Sequence, residues 1–212
     1  MLKIKSFVFS PIQENTYIIY NGFNECIIID PGCYSDAEKD ETVAFIKKMG
    51  LQPKMLLNTH CHLDHIFGNK FIAETYGLEL YIHPKEKGML DLAPASGLMY
   101  NLPFDNYKGT IHYLTPGDDI ILGADTLRII LTPGHSPGSL SFYSEKDAFV
   151  ISGDVLFNRS IGRTDLPGGN YDTLIQSIKE KLLVLPAETI VYSGHGDTTT
   201  IGEETSFNPF LQ

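Results

Sequence analysis

Over its first thirty residues the chain places apolar residues in short stretches, alternating with polar ones at the start and running continuously later. These short apolar stretches predict strands at residues 7–9, 15–20 and 26–29, separated by Pro11 and by Asn21-Gly22, a favoured tight-turn pair. From 36 to 49 the spacing lengthens. Val43, Phe45, Ile46 and Met49 recur among charged residues, which predicts an amphipathic helix ending at Gly50. Residues 54–57 read as a strand, 70–76 as a helix and 78–82 as a strand. The stretch 90–109 is rich in Pro, Gly and Asn and reads as a long surface loop that could border a site. Strands are predicted at 111–113, 120–122, 126–131, 140–143 and 148–151. A last long helix is predicted at 171–183, with Asp172 near its start complementing the helix dipole. Periodicity alone gives a mixed α and β chain, and no repeat, low-complexity tract or linker interrupts it.

The densest chemistry follows the strand at 54–57. Thr59-His60-Cys61-His62-Leu63-Asp64-His65 sets three imidazoles and a carboxylate close together after the apolar run Met55-Leu56-Leu57. Imidazole nitrogen and carboxylate oxygen suit zinc, iron or manganese, and ligands on a turn at a strand end are fixed by the buried strand behind them. His135, in Thr132-Pro133-Gly134-His135-Ser136-Pro137-Gly138, and His195, in Ser193-Gly194-His195-Gly196-Asp197, also follow apolar runs. Asp154 follows Phe149-Val150-Ile151-Ser152-Gly153. A carboxylate just past a buried strand is costly to bury unless a cation accompanies it. These strand exits supply donors enough for two ions. His83 and His112 have no such company and read as structural or surface histidines.

Together these residues resemble the metallo-β-lactamase fold hydrolases, in particular the small glyoxalase II-like branch. Asn15-Thr16-Tyr17 and Ile29-Asp30-Pro31-Gly32 look like the family's opening strands. His60-Cys61-His62-Leu63-Asp64-His65 looks like its H-x-H-x-D-H signature, and Gly153-Asp154 and Gly194-His195-Gly196 like its later ligand loops. Residues 160–169, from Ser160 to Gly169, are similar to the same branch. The resemblance implies an α/β fold, a four-layer αββα sandwich, in a single domain over residues 1–212. It implies that His60, His62 and His135 hold one metal, that Asp64, His65 and His195 hold a second, and that Asp154 bridges both. Full-length glyoxalase II enzymes carry a helical domain after the last ligand. Here only residues 196–212 follow His195, so the resemblance is to the branch without it.

The chemistry this implies is hydrolysis through a metal-bridging hydroxide. Neutral imidazoles leave two divalent transition-metal ions, zinc first with iron or manganese as alternatives, Lewis acidic enough to deprotonate water near neutral pH. Asp154 would hold the ions together, and Asp64 could steer the hydroxide or collect its proton. A thiolate or alkoxide leaving group fits, hence thioester or ester hydrolysis, and the resemblance implies an S-acylglutathione or similar small thioester as substrate. Arg163 could grip a substrate carboxylate in a bidentate pair, or could serve a structural ion pair with Asp165.

Composition narrows the partners. A chain of 212 residues, 42% hydrophobic and 20% charged, is ordinary for one globular core. Its net charge of −10 argues against a nucleic-acid partner, which would need clustered Lys and Arg. Lys3 and Lys5 interrupt the first apolar stretch, and no run reaches a membrane-spanning length, so a cytoplasmic protein without a membrane partner is expected. Cys26, Cys33 and Cys61 read as free thiols, with Cys61 a bystander between two ligands or an oxidation-sensitive group. Oligomeric state is not legible.

One rival signature fails on physical grounds. Gly134-His135-Ser136-Pro137-Gly138 matches G-x-S-x-G, but that mechanism needs the N–H of the residue after the nucleophile, and Pro137 has none. The residues after it also alternate like a strand rather than opening a helix. The remaining alternatives are a mono-iron persulfide dioxygenase, which resembles this chain through the same ligand strings, a lactamase, disfavoured because those enzymes are usually exported and this chain shows no export signal, and a non-catalytic metal module. The last is disfavoured because structural zinc sites are closed four-ligand cages dominated by cysteine.

Overall fold

The computed structural model describes the whole chain, Met1–Gln212. It divides into two compact units, Met1–Leu114 with Ile121–Asp125, and Thr115–Ile120 with Thr126–Gln212. The first is built on a six-stranded sheet in the order β1 (Lys3–Phe9), β2 (Glu14–Tyr20), β3 (Glu25–Ile29), β4 (Gln52–Leu57), β5 (Leu80–Ile82) and β6 (Ile111–Tyr113). The first three strands pair antiparallel and the rest parallel. Parallel neighbours need crossovers. Helix α1 (Asp36–Met49) carries β3 to β4, and α3 (Asn69–Tyr76) lies between β4 and β5. Ser35 and Glu38 form a reciprocal capping box at the start of α1, and Gly50, at φ 63°, ends it as the sequence predicts.

Two expectations for this unit need correction. Asn21-Gly22 is not a two-residue turn, because four residues separate β2 from β3. The buried Asn21 instead folds its own turn, its Oδ1 accepting from the amides of Phe23 (2.9 Å) and Glu25 (3.0 Å), and Asn24 rather than Gly22 takes the left-handed conformation, at φ 61°. The loop expected over 90–109 begins as helix α4 (Lys87–Met99), with Pro94 inside it. A proline leaves the carbonyl four residues back without its helical donor. Here that carbonyl belongs to Leu90, and the side-chain amide of Asn106 donates to it at 2.6 Å. A distant side chain supplies what the local sequence lacks.

The second sheet runs in the order β14 (Thr199–Thr200), β13 (Ile190–Ser193), β10 (Phe149–Gly153), β9 (Leu140–Ser144), β8 (Asp125–Leu131) and β7 (Asp119–Leu122). Its β10–β13 pair is parallel, and the crossover contains α5 (Tyr171–Ser177), capped by the Asn170 side chain. The expected single helix over 171–183 changes winding part-way, because Ile178–Leu182 forms a wider π turn. Leu174, Ile178 and Leu182 are buried at intervals of four. A turn wider than 3.6 residues keeps that spacing on one face. They pack with Tyr143, Val150 and Val191. Between β10 and α5 lies a short hairpin, β11 (Leu156–Phe157) and β12 (Ser160–Ile161), and α6 (Ile201–Phe207) closes the chain. No helix is long and apolar enough to cross a membrane.

Candidate metal centre

In the first unit the site begins with strand pairing. The parallel match of Ile29 with Leu57 sets Asp30, just past β3, against Asn58 and Thr59, just past β4. Asp30 is buried and accepts from the Thr59 amide (2.7 Å), the Thr59 hydroxyl (2.5 Å), the Asn58 side-chain amide (3.3 Å) and His65 Nδ1 (3.0 Å). Its φ of 49° is a left-handed value that aspartate tolerates better than most residues. His62 precedes the one-turn helix α2 (Leu63–Ile66), which carries Asp64 and His65. The His60 ring lies 4.7 Å from that of His62 and 4.1 Å from that of His65, centroid to centroid, and His65 Nε2 is 3.8 Å from Asp64 Oδ2. Candidate ligand atoms of Asp30, His60 and His65 all fall within 4.8 Å of one another.

Behind them sits a second buried carboxylate. Glu14 Oε2 accepts from the Thr16 hydroxyl at 2.9 Å, and Oε1 lies 3.9 Å from His65 Nδ1. Burial pushes its carboxyl well above the usual range, against the opposing pull of His65. Gly32 is required here, because a Cβ at that position would fall 2.0 Å from Glu14 Oε2.

In the second unit, parallel pairing again aligns two strand exits. Gly153, at φ 53°, pairs with Ser193, and the Gly194 amide donates to the Gly153 carbonyl at 2.9 Å. Asp154 and His195 follow directly. Asp154 Oδ2 lies 3.5 Å from His135 Nε2 and 3.5 Å from His195 Nε2. His135 Nδ1 sits 2.8 Å from the Arg163 carbonyl, and the His195 ring packs edge-on against Phe157.

For three of the imidazoles these hydrogen bonds indicate which nitrogen keeps the proton. A carbonyl only accepts, so His135 carries its proton on Nδ1 and presents the Nε2 lone pair toward Asp154. His65 likewise gives its Nδ1 proton to Asp30. The Thr59 hydroxyl spends its proton on Asp30, so its oxygen, 3.0 Å from His60 Nδ1, accepts from that nitrogen. All three rings therefore direct Nε2 lone pairs away from their supports, as metal-ligating histidines do. Two acceptors facing each other at the 3.5 Å separation of His135 Nε2 and Asp154 Oδ2 repel unless a cation lies between them. The donor set thus fits transition-metal ions in both units.

The remaining candidates fall as follows. Arg163 closes both guanidinium arms on Asp165, each at 2.7 Å, the structural pairing weighed from sequence. His83 caps a turn by accepting from the Lys85 amide, and His112 pairs with Glu79 while stacking on Tyr81, so neither joins the ligand sets. Cys61 is buried, its thiol pushed well above its ordinary pKa first by burial and then by Glu86 and Asp30. Sequence reasoning gave no role to Asp30, Glu14 or Thr59. Asp30 carried the signal of its neighbours, a carboxylate directly after a fully apolar strand.

The sequence profile of the Metallo-beta-lactamase superfamily matches residues 10–195. The probable metallo-hydrolase YqgX of Bacillus subtilis is 42% identical over 203 residues, 95% of this chain and 93% of that protein. Hydroxyacylglutathione hydrolase GloC of Haemophilus influenzae is 36% identical over 201 residues, 94% of this chain and 93% of that one. Among solved structures, the BLEG-1 B3 metallo-beta-lactamase superimposes with a TM-score of 0.91 at 42% identity, covering 99% of this chain and 100% of that one. TTHA1623, in a di-iron-bound form, gives 0.88 at 36% identity, covering 98% and 100%.

Proposed function

The chain belongs to the metallo-beta-lactamase superfamily and has its fold, and from that premise we propose that it is a binuclear metal-dependent hydrolase of S-acylglutathione-like thioesters. The observation that carries the reading is that an acceptor faces Nδ1 of His60, His65 and His135, which puts the proton on that nitrogen and leaves Nε2 of each ring to serve as a metal donor. As the family resemblance implies, His60, His62 and His135 would hold one ion, Asp64, His65 and His195 the other, and Asp154 both. When bound, such ions supply Lewis acidity, which polarises a carbonyl and brings the deprotonation of water near neutral pH. Zinc is the first choice, and the di-iron form of TTHA1623 keeps iron beside it.

The chain's own residues would do the rest. Asp30 and the Arg163 carbonyl would hold imidazoles in orientation, and Asp64 would steer the hydroxide or collect its proton. The thioester substrate is supported by the likeness to GloC, whose name specifies an acylglutathione. Arg163 would meet a substrate carboxylate only by exchanging Asp165 for it.

A second reading, β-lactam hydrolysis, is favoured by the 42% identity to BLEG-1. One panel separates the readings. Under nitrogen, the metal-loaded protein should release thiol and carboxylate from S-acylglutathiones and leave nitrocefin intact. Ser136→Ala should retain activity, since Pro137 has no amide to complete a serine mechanism, whereas His62→Ala should abolish it. Nitrocefin turnover without thioester cleavage would select the lactamase reading, and oxygen uptake with glutathione persulfide a dioxygenase.

A further inference from the structure

We infer that Glu204 and Asn208, at the C-terminal end of the chain, are positioning residues for His135. They act through the β11–β12 hairpin, which carries the Arg163 carbonyl to the His135 ring. The link to metal rests on the proposal that His135 is a ligand, while the geometry stands without it.

The argument starts at the hairpin turn. Arg159 adopts φ 57°, a left-handed value that a non-glycine residue keeps only when its surroundings hold it there. Glu204 is that surrounding group. Its fully buried carboxylate accepts from the Arg159 amide (3.0 Å) and the Asn208 side-chain amide (2.7 Å) through Oε2, and from the Thr199 hydroxyl (2.6 Å) through Oε1. Asn208, also buried, donates from the same nitrogen to the Ser160 carbonyl at 2.9 Å. The N–H of one turn residue and the C=O of the next are therefore both held by side chains from beyond β14. The exposed Arg159–Glu203 ion pair and the stacking of Arg159 on Phe207 add to this only at the surface.

From the turn the connection runs through backbone. The base of the hairpin is fixed where the Leu156 carbonyl accepts from the hydroxyls of Ser193 (2.8 Å) and Ser152 (3.1 Å). The Gly162 amide donates to the Val155 carbonyl at 3.2 Å. Gly162 lies so close to the ligand loop that a Cβ there would meet the Asp154 carbonyl oxygen at 1.9 Å, which leaves this segment no room to shift toward it. The next residue is Arg163, whose carbonyl accepts the His135 Nδ1 proton at 2.8 Å. A slip of β12 would withdraw that acceptor, and His135 would then exchange protons between its two nitrogens. The share of the neutral ring that presents Nε2–H, which cannot ligate, would rise, and the ring would lose its fixed orientation.

The test reads the ring directly. In the full-length, 15N-labelled chain, two-bond 15N–1H spectra report which nitrogen of His135 is protonated, and chelator competition reports zinc affinity. The wild type should show the Nδ1–H tautomer alone. Glu204→Ala and Asn208→Ala, folded by circular dichroism, should show mixed tautomers and zinc bound about tenfold more weakly, a change that a role in global stability alone does not produce. A folded variant with the wild-type tautomer and affinity would overturn the inference. So would Nε2–H at His135 in the wild type, or a wild-type Arg159 amide that exchanges with solvent as fast as an open loop, and neither of these measurements needs a variant to fold. If the wild type bound no metal, the proposed function would fail while the tautomer comparison still decided the role of Glu204.

Discussion

The imidazole of His65 donates its Nδ1 proton to Asp30 across 3.0 Å, with both side chains buried. If His65 is a metal ligand, as proposed, Asp30 orients it and raises its basicity. Asp30→Ala should therefore weaken metal binding about 10–100-fold in a protein that remains folded. Chelator competition measures this, and an unchanged affinity would contradict the orientation argument.

Asn106 and Pro94 make a second pair whose roles can be separated. Removing the Asn106 side chain leaves the Leu90 carbonyl without the donor that replaces the missing proline amide. Asn106→Ala should cost about 1–3 kcal/mol in denaturant unfolding. Adding Pro94→Ala should restore much of that, because position 94 would then carry its own helical N–H. Additive losses in the double variant would show that Asn106 acts otherwise.

The thiols should be inert. Burial dominates at Cys26 and Cys33, whose thiols are pushed up to about 12, and Cys61 moves in the same direction. From an ordinary value of 9.0, a pKa of about 12 leaves roughly a thousandfold less thiolate at pH 8. Iodoacetamide should label all three cysteines only after unfolding. Rapid labelling of Cys61 in the native protein would instead mark it as the oxidation-sensitive group.

Arg163 holds the Asp165 carboxyl down at about 2. A carboxylate depressed in the folded state contributes stability above its unfolded pKa of about 3.9, and loses it as pH falls toward 2. Both side chains are exposed, so the effect on unfolding should be small. NMR titration of the Asp165 carboxyl gives the clearer readout. Its midpoint should sit near 2 and rise toward the ordinary value in Arg163→Gln. An ordinary midpoint in the wild type would mean that the guanidinium is not engaged by Asp165 in solution.

Much of this was legible in the sequence because each candidate donor follows an apolar run that gives way to a turn. His60, His62, Asp64, His65, His135, Asp154 and His195 all carried that mark. Asp30 carried it too, but its role depends on β3 lying beside β4, a pairing that no local pattern encodes. The helix through Pro94 was illegible for the same reason, since its missing donor arrives from Asn106. The change of winding after Ser177 serves burial at 174, 178 and 182, a spacing visible in the sequence but equally consistent with an α-helix. The internal ion pair of Arg163 was one of two readings until the geometry closed it on Asp165.

The central claim, that these ligands hold two ions with Asp154 shared between them, is tested most directly by elemental analysis of the purified protein beside Asp154→Ala. The wild type should hold up to about two transition-metal ions per chain, as a two-metal hydrolytic site requires, and Asp154→Ala should be depleted of both while staying folded. A folded wild-type protein that retains no metal after reconstitution with zinc, iron and manganese would contradict the account.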